Sequence, residues 1–193
     1  MQLTGLDYYL IGVNIVGFIF FIINTLLYTY TAEGQIDLLL TICSILGGSF
    51  GIVLAILIFD RTLEKGNMMS RVFVICVFVI QLCIFLFFRI GHAEQLTLRF
   101  WEFFDKHKIL IIYLIAINFA SCIVYGIDKL AAVEHTWRIR IVTLLGLALA
   151  GGSVGALIAM YAFRHKTSVD YFTIGVPLII LAQIVALFYV MNR

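Results

Sequence analysis

Long apolar runs alternate with short polar segments along the whole chain. A helix needs about 20 consecutive apolar residues to cross the hydrocarbon core of a bilayer. Charged residues mark nearly every end of these runs, and almost none fall inside them. Strands are excluded, because unpaired backbone cannot face lipid and the runs are continuous rather than alternating. The pattern predicts an all-α integral membrane protein with six transmembrane helices, at residues 8–28, 38–59, 72–89, 109–130, 141–163 and 171–191.

The longest polar connection, residues 91–108, has an amphipathic pattern of its own. Leu98, Trp101 and Phe104 fall on one helical stripe, with charged residues between them. Aromatic side chains flanked by charges suit the headgroup region of a bilayer. We expect a short interfacial helix that joins two halves of the chain. Docking of a partner protein is the alternative.

The chain repeats itself at a distance of 104 residues. Asn14 aligns with Asn118, and the ordered motif Gly47-Gly48-Ser49-x-Gly51 aligns with Gly151-Gly152-Ser153-x-Gly155. An odd number of crossings in each copy would make the second copy enter from the opposite face. The repeat therefore predicts two inverted three-helix units, an arrangement found in many secondary transporters. The predicted domains are a first repeat, an interfacial linker and a second repeat, at residues 1–90, 91–108 and 109–193.

Composition supports a lipid environment. The chain is 63% hydrophobic and 12% charged, with a mean hydropathy of +1.10. A soluble domain would carry about twice that share of charge. The net charge of +2 is too small to indicate nucleic acid as a direct partner. The first run lacks the basic start of a signal peptide, so we expect it to be retained.

The basic residues are divided almost evenly between the two faces that six crossings would create. Lys and Arg are normally in excess in cytoplasmic loops, and a count of seven against six favours cytoplasmic termini. The first face would hold Arg61, Lys65, Arg71, Lys129, Arg138, Arg140 and Arg193, and the second Arg89, Arg99, Lys106, Lys108, Arg164 and Lys166.

A polar stripe marks the first helix of the second repeat. Asn118, Tyr125 and Asp128 lie on one helical face, and Lys129 follows them. Polar groups in lipid are costly and usually face the interior of the bundle. They either bond neighbouring helices or line a binding site near the midplane. The corresponding candidates in the first repeat are Asn14 and Asn24.

Small residues recur every four positions in the second helix of each repeat. Without side chains at these points two backbones can approach closely. Close helix packing is one interpretation, and a narrowed pathway with exposed backbone is the other. The residues concerned are Gly47, Gly48, Ser49, Gly51, Gly151, Gly152, Ser153 and Gly155.

Basic and aromatic residues near helix ends are candidates for contact with anionic lipid. They are Trp101, Arg138, Arg164, His165 and Lys166. The histidines have no metal-ligand spacing, and the chain contains no hydrolase, metalloprotease or phosphate-loop motif. We therefore expect no metal, no cofactor and no enzymatic activity.

The second repeat contains an ordered series of motifs over about residues 110–175. They are Asn118, Tyr125-Gly126-Ile127-Asp128-Lys129, Ala132, Trp137-Arg138-Ile139, Gly151-Gly152-Ser153-x-Gly155-Ala156, Met160 and Phe163-Arg164-His165-Lys166-Thr167. Together these motifs resemble the DUF1294 family of small bacterial membrane proteins, whose members usually have one three-helix unit. Where that family usually reads Arg-Ile-Pro-Glu, this chain reads Arg138-Ile139-Arg140-Ile141. The resemblance implies a bacterial inner membrane and supplies no activity.

Two hypotheses follow from the sequence. The first is a small transporter or channel that holds an unidentified ion or solute between inverted repeats. Its candidate binding residues are Asn14, Asn24, Asn118, Tyr125, Asp128 and Lys129. The second is a non-transporting membrane subunit that binds a protein partner, a second copy of itself or anionic lipid. Polar side chains that satisfy one another, with no cavity beside them, would argue against the first hypothesis.

Overall fold

The computed structural model describes residues 4–30, 37–59, 68–90, 96, 98–134 and 137–193. These residues are overwhelmingly helical and include no strand. Six stretches are long and apolar enough to cross a membrane, which confirms the all-helical membrane class. They are Gly5–Leu27, Leu38–Phe59, Ser70–Arg89, Lys108–Val133, Ile141–Ala162 and Asp170–Met191.

The described chain divides into two compact units, Met1–Leu82 and Cys83–Arg193. The boundaries predicted for the repeats and the linker stay predictions. In chain order the helices are α1 (Gly5–Tyr30), α2 (Asp37–Cys43), α3 (Ser49–Phe59), α4 (Met68–Ile90), α5 (Phe100–Lys106), α6 (Lys108–Val133), α7 (Ile141–Leu147), α8 (Ser153–Ala162), α9 (Asp170–Thr173) and α10 (Gly175–Met191).

Two of the six apolar stretches are broken at a Gly-Gly pair. The turn Ser44–Gly48 separates α2 from α3, and Gly47 within it has φ 115°. The turn Ala148–Gly152 separates α7 from α8, and Gly151 has φ 119°. Glycine adopts this left-handed backbone without strain and commonly ends helices for that reason. The repeated glycine motif therefore stops one helix and lets another begin.

In the second unit the break reverses the chain. A straight helix over the 22 residues Ile141–Ala162 would hold its ends about 33 Å apart at 1.5 Å per residue. Yet Ile139, just before α7, and His165, just after α8, both contact the carboxylate of Asp128. Helices α7 and α8 therefore form a hairpin, which we call hairpin 2. Its tip is the turn Ala148–Gly152, and its open end is the end at Asp128.

The contacts of α6 show the direction of each arm. Tyr113 bonds Ala150, Asn118 bonds Gly155 and Asp128 bonds His165, and each pair is 37 positions apart. A constant separation means that α8 runs parallel to α6. Helix α7 therefore runs antiparallel to α6, from the open end to the tip. The tip lies beside the first half of α6.

The first unit has the same construction. Tyr9 bonds Leu46 and Asn14 bonds Gly51, again at a separation of 37 positions. Leu40 of α2 and Ile52 of α3 belong to one buried cluster, although a straight helix would hold them about 18 Å apart. Helices α2 and α3 thus form hairpin 1, packed against α1.

The last long helix of the second unit returns to the tip side. Phe172 of α9 packs against Tyr125 near the open end, with ring centroids 5.8 Å apart. Gln183 of α10 bonds the turn at the tip. The segment α9–α10 therefore runs antiparallel to α6. The start of α6 and the end of α10 both lie on the tip side of the unit.

The hairpin corrects one expectation from the sequence. Arg164 and Lys166 were expected on the opposite face from Lys129, Arg138 and Arg140. The contacts of Asp128 bring the α6–α7 and α8–α9 loops to one end of the unit. The reason is the reversal at Gly151, which composition and run length do not reveal. The argument for inverted repeats assumed one crossing by this run and loses that support.

Glycine allows each hairpin to touch the preceding long helix. A Cβ added to Gly155 would overlap the backbone carbonyl oxygen of Asn118, and one on Gly51 would overlap that of Asn14. The backbones of α8 and α6 are therefore in direct contact, as are those of α3 and α1. This favours the packing interpretation of the glycine motif.

Candidate functional site

Asn118 uses its whole amide to build the tip of hairpin 2. Its Nδ2 donates to the carbonyl oxygens of Leu114 at 2.8 Å and Gly151 at 2.9 Å. Its Oδ1 accepts the backbone N–H of Gly155 at 2.7 Å. The side chain thus satisfies the end of one half-helix and the start of the next, where backbone groups have no helical partner.

Gln183 holds the other side of the same tip. Its Nε2 donates to the carbonyls of Ala148 at 2.7 Å and Leu149 at 3.1 Å. Its Oε1 accepts a bond from the hydroxyl of Ser153. Buried backbone carbonyls without partners would each cost about 1–3 kcal/mol. By bonding these carbonyls, Gln183 removes this cost at the point where α7 ends inside an apolar protein.

The first unit repeats most of these bonds with its own residues. Asn14 Nδ2 donates to Leu10 O at 2.7 Å, and Gly51 N–H donates to Asn14 Oδ1 at 2.8 Å. Gln81 Nε2 donates to the carbonyls of Ser44 and Ile45 at 2.8 and 2.9 Å. The hydroxyl of Ser49 donates to Gln81 Oε1.

Two tyrosines complete the tips, and sequence reasoning missed both of them. The hydroxyl of Tyr9 donates to Leu46 O at 2.9 Å, and that of Tyr113 donates to Ala150 O. Sequence reasoning missed the two glutamines as well. A signal was present for both types, because the tyrosines align at the repeat distance and each glutamine is a lone amide inside an apolar run.

The open end of hairpin 2 is organised around the buried carboxylate of Asp128, which is 1% exposed. Its Oδ2 accepts a bond from Lys166 Nζ at 2.7 Å and lies 2.9 Å from His165 Nε2. Its Oδ1 accepts the backbone N–H of Ile139 at 3.1 Å. We call Asp128, His165 and Lys166 the carboxylate clamp. It ties both loops of the open end to α6.

The loop after α8 has an unusual backbone conformation, which places His165 and Lys166 against Asp128. Arg164 has φ 44° and Lys166 has φ 61°, and no other non-glycine residue in the described chain has positive φ. This conformation costs a bulky side chain roughly 1–2 kcal/mol. The ammonium of Lys166 also lies 4.7 Å from the centroid of the Phe172 ring, a favourable cation–π distance. These contacts hold the strained loop in place.

The predicted site residues differ in their burial and in their position within the units. Tyr125 is buried and its hydroxyl donates to Leu144 O at 3.4 Å, a long bond. Asn24 lies half-buried on α1, and Lys129 is half-buried beside the clamp residue Asp128 on α6. Arg138 and Arg164 are exposed at the open end, and Trp101 is exposed on α5. The predicted stripe is therefore divided between the tip and the open end.

The described residues include no cluster of three or more metal-ligating side chains. The clamp offers one carboxylate and one imidazole, and its lysine neutralises the carboxylate. The arrangement can hold two loops together and present their remaining cations outward.

Comparisons with known proteins agree with the resemblance seen in the sequence. The DUF1294 family model, described as a protein of unknown function, matches residues 118–172, which include Asn118, hairpin 2 and the clamp. The "Uncharacterized protein YsdA" of Bacillus subtilis (strain 168) is 39% identical over 83 residues. Those residues are 42% of this chain and 93% of the relative. No solved structure matches the chain significantly. The chain belongs to the DUF1294 family.

Proposed function

We propose that this protein is a non-enzymatic, multi-pass protein of the bacterial cytoplasmic membrane that binds anionic lipid headgroups at the open end of hairpin 2. The observation that carries the proposal is the convergence of two basic loops on Asp128. A second copy or another membrane protein is the alternative partner of the same end.

The charge of the open end supports an anionic ligand. Its described basic residues are Lys129, Arg138, Arg140, Arg164 and Lys166, and its acidic residues are Asp128, Glu134 and Asp170. Five positive charges and three negative charges leave a net charge of +2. Because Lys166 is paired with Asp128, the exposed arginines provide most of the attraction. Each cation near an anionic bilayer surface contributes about 1 kcal/mol.

Trp137 supports a position of the open end at the surface of the bilayer. The side chain is 72% exposed and directly precedes Arg138 in the α6–α7 loop. Tryptophan is enriched at the boundary between hydrocarbon and headgroups. An exposed tryptophan beside exposed arginines at the end of a membrane-spanning helix fits the level of the lipid phosphates.

The polar stripe no longer supports a permeation site at Asn118. Both N–H groups of its amide donate to backbone carbonyls of the same unit, and its Oδ1 accepts a backbone N–H. Tyr125 and Asp128 are likewise engaged within the unit. A permeating ion would have to displace these bonds, so we favour the lipid-binding hypothesis over transport.

The test measures headgroup preference in the full-length chain. The Trp101→Phe variant leaves Trp137 as the single tryptophan. In nanodiscs, energy transfer from Trp137 should be stronger to dansyl-labelled phosphatidylglycerol than to labelled phosphatidylcholine. The triple change Arg138→Gln, Arg140→Gln and Arg164→Gln should abolish the preference.

The matched control removes three cations at the other side of the unit. The changes Arg99→Gln, Lys106→Gln and Lys108→Gln should leave the preference of Trp137 intact. Equal transfer to both labelled lipids in the parent chain would refute the proposal. An equal loss in both triple variants would indicate a general charge effect rather than a site.

Transport remains a second candidate because of the hairpins themselves. Discontinuous helices that meet near the middle of a bilayer are typical of transporters, and irregular backbone at that depth is found only inside protein or beside water. The test is flux of small cations and anions across proteoliposomes. Flux that is lost on Asn118→Ala, while the protein stays folded, would favour this candidate. If none of the tested ions crosses the membrane, transport of those ions is excluded.

The internal duplication is also part of the proposal. Two observations support it: the matching hydrogen bonds at the two tips, and a relative that is covered almost entirely by less than half of this chain. If only α1, α4, α6 and α10 cross the bilayer, each unit has two crossings. The inverted arrangement then has no support from counting helices. The count of seven against six that favoured cytoplasmic termini no longer applies, because Arg164 and Lys166 lie on the same side as Lys129, Arg138 and Arg140.

A further inference from the structure

The segment from Leu98 to Trp101 exposes large apolar side chains outside the six stretches able to cross a membrane. Leu98 is 69% exposed and Trp101 is 86% exposed. No residue of α5 is buried. Such exposure to water is unfavourable, since a large apolar side chain gains free energy when it leaves water.

The position of α5 in the chain limits what can cover it. Helix α6 begins at Lys108, and the apolar stretch able to cross the membrane begins there too. Only His107 separates α5 from α6, and its backbone, with φ −115° and ψ 55°, is not helical. Helix α5 is therefore held directly beside the point at which α6 enters the bilayer.

The side chains around this corner suit a headgroup layer. Phe103 and Phe104 pack edge to face with ring centroids 5.8 Å apart, and both are half-buried. Phe103 also stacks on His107 at 4.4 Å. These contacts stiffen the corner and leave Trp101 outward. Lys106 and Lys108 are exposed and can reach lipid phosphates while their stems cover apolar surface.

We infer that α5 lies in the headgroup layer of the bilayer on the tip side of the second unit, with Trp101 inserted to the depth of the glycerol groups. The occupant of this surface is the lipid itself. The inference concerns a different end of the unit from the proposed lipid-binding loops and does not depend on them. It gives the second unit an aromatic anchor that fixes the depth of α6.

The experiment uses the full-length chain with Trp137→Phe, which leaves Trp101 as the single tryptophan. The protein is reconstituted in phosphatidylcholine vesicles with bromine atoms either near the headgroup or deep in the acyl chains. Trp101 should emit at shorter wavelength than free tryptophan and lose more emission to the shallow bromines than to the deep ones. Iodide in the water should quench it only weakly.

Two controls keep the result interpretable. Leu98→Trp in a chain that also carries Trp101→Phe and Trp137→Phe reports the same surface from a second position and should give the same order of quenching. Trp101→Glu should not alter the oligomeric size of the protein in detergent. Strong quenching of Trp101 by iodide, with none by lipid bromines, would overturn the inference and leave α5 as a surface for a protein partner.

Discussion

His165 Nε2 lies 2.9 Å from the carboxylate of Asp128, although α7 and α8 lie between the loop that follows α6 and the loop that contains His165. The same carboxylate accepts the backbone N–H of Ile139, which precedes α7. One side chain thus joins both ends of a 22-residue apolar stretch. The stretch is a hairpin, and its two loops share one end of the unit.

The hairpin predicts the labelling pattern of single cysteines. In a background with the four native cysteines replaced by alanine, Arg138→Cys and Arg164→Cys should react with an impermeant maleimide from the same side of sealed vesicles. Lys106→Cys should react from the other side, because α6 lies between the two ends. A single crossing by α7 and α8 would instead put positions 138 and 164 on opposite sides, and that result would refute the hairpin.

Removal of the Asp128 charge should destabilise the second unit. Asp128→Asn keeps the shape of the side chain but removes the negative charge that lies 2.7 Å from the ammonium of Lys166, which is 16% exposed. Breaking a buried pair in this way costs about 3 kcal/mol or more. The measurement is the midpoint of unfolding in mixed detergent micelles. Glu102→Gln breaks the exposed pair with Arg99 and should change stability by less than about 1 kcal/mol.

Two glycines of hairpin 2 should respond to alanine in opposite ways. Gly155→Ala places a methyl group against the carbonyl oxygen of Asn118, so α8 must move away from α6 and the free energy of unfolding should fall by more than about 3 kcal/mol. Gly146 has no atom within 4 Å of the added Cβ. Because alanine favours helix, Gly146→Ala should stabilise by about 0.5–1 kcal/mol. Equal effects would contradict the close contact of α8 with α6.

Asn118→Ala should leave the carbonyl of Gly151 and the N–H of Gly155 without side-chain partners. Each buried unsatisfied group costs about 1–3 kcal/mol, so the two groups together give an expected loss of about 2–6 kcal/mol. Protease digestion in detergent should then cut near the tip of hairpin 2 before it cuts elsewhere. If Asn118→Ala unfolds like the parent chain, the amide does not hold the tip.

The sequence by itself determined which residues are helical and apolar. Run length and charge placement located the six apolar stretches. The aligned Asn and Gly-Gly-Ser motifs marked a repeated feature, which was predicted as helix packing or a narrowed pathway and not as a turn. The resemblance to the DUF1294 family also rested on ordered motifs. These features are local, because helix formation and burial in lipid depend on neighbouring residues.

Only the tertiary structure decided that two of those stretches turn back on themselves. A run of 22 apolar residues has the same composition whether it is straight or folded, and a Gly-Gly pair is compatible with either. The reversal is held by Asn118, Gln183 and Asp128, which lie tens of residues from most of the groups they bond. Such partners are set by packing rather than by spacing, and this is why the positions of the loops could not be predicted from the pattern alone.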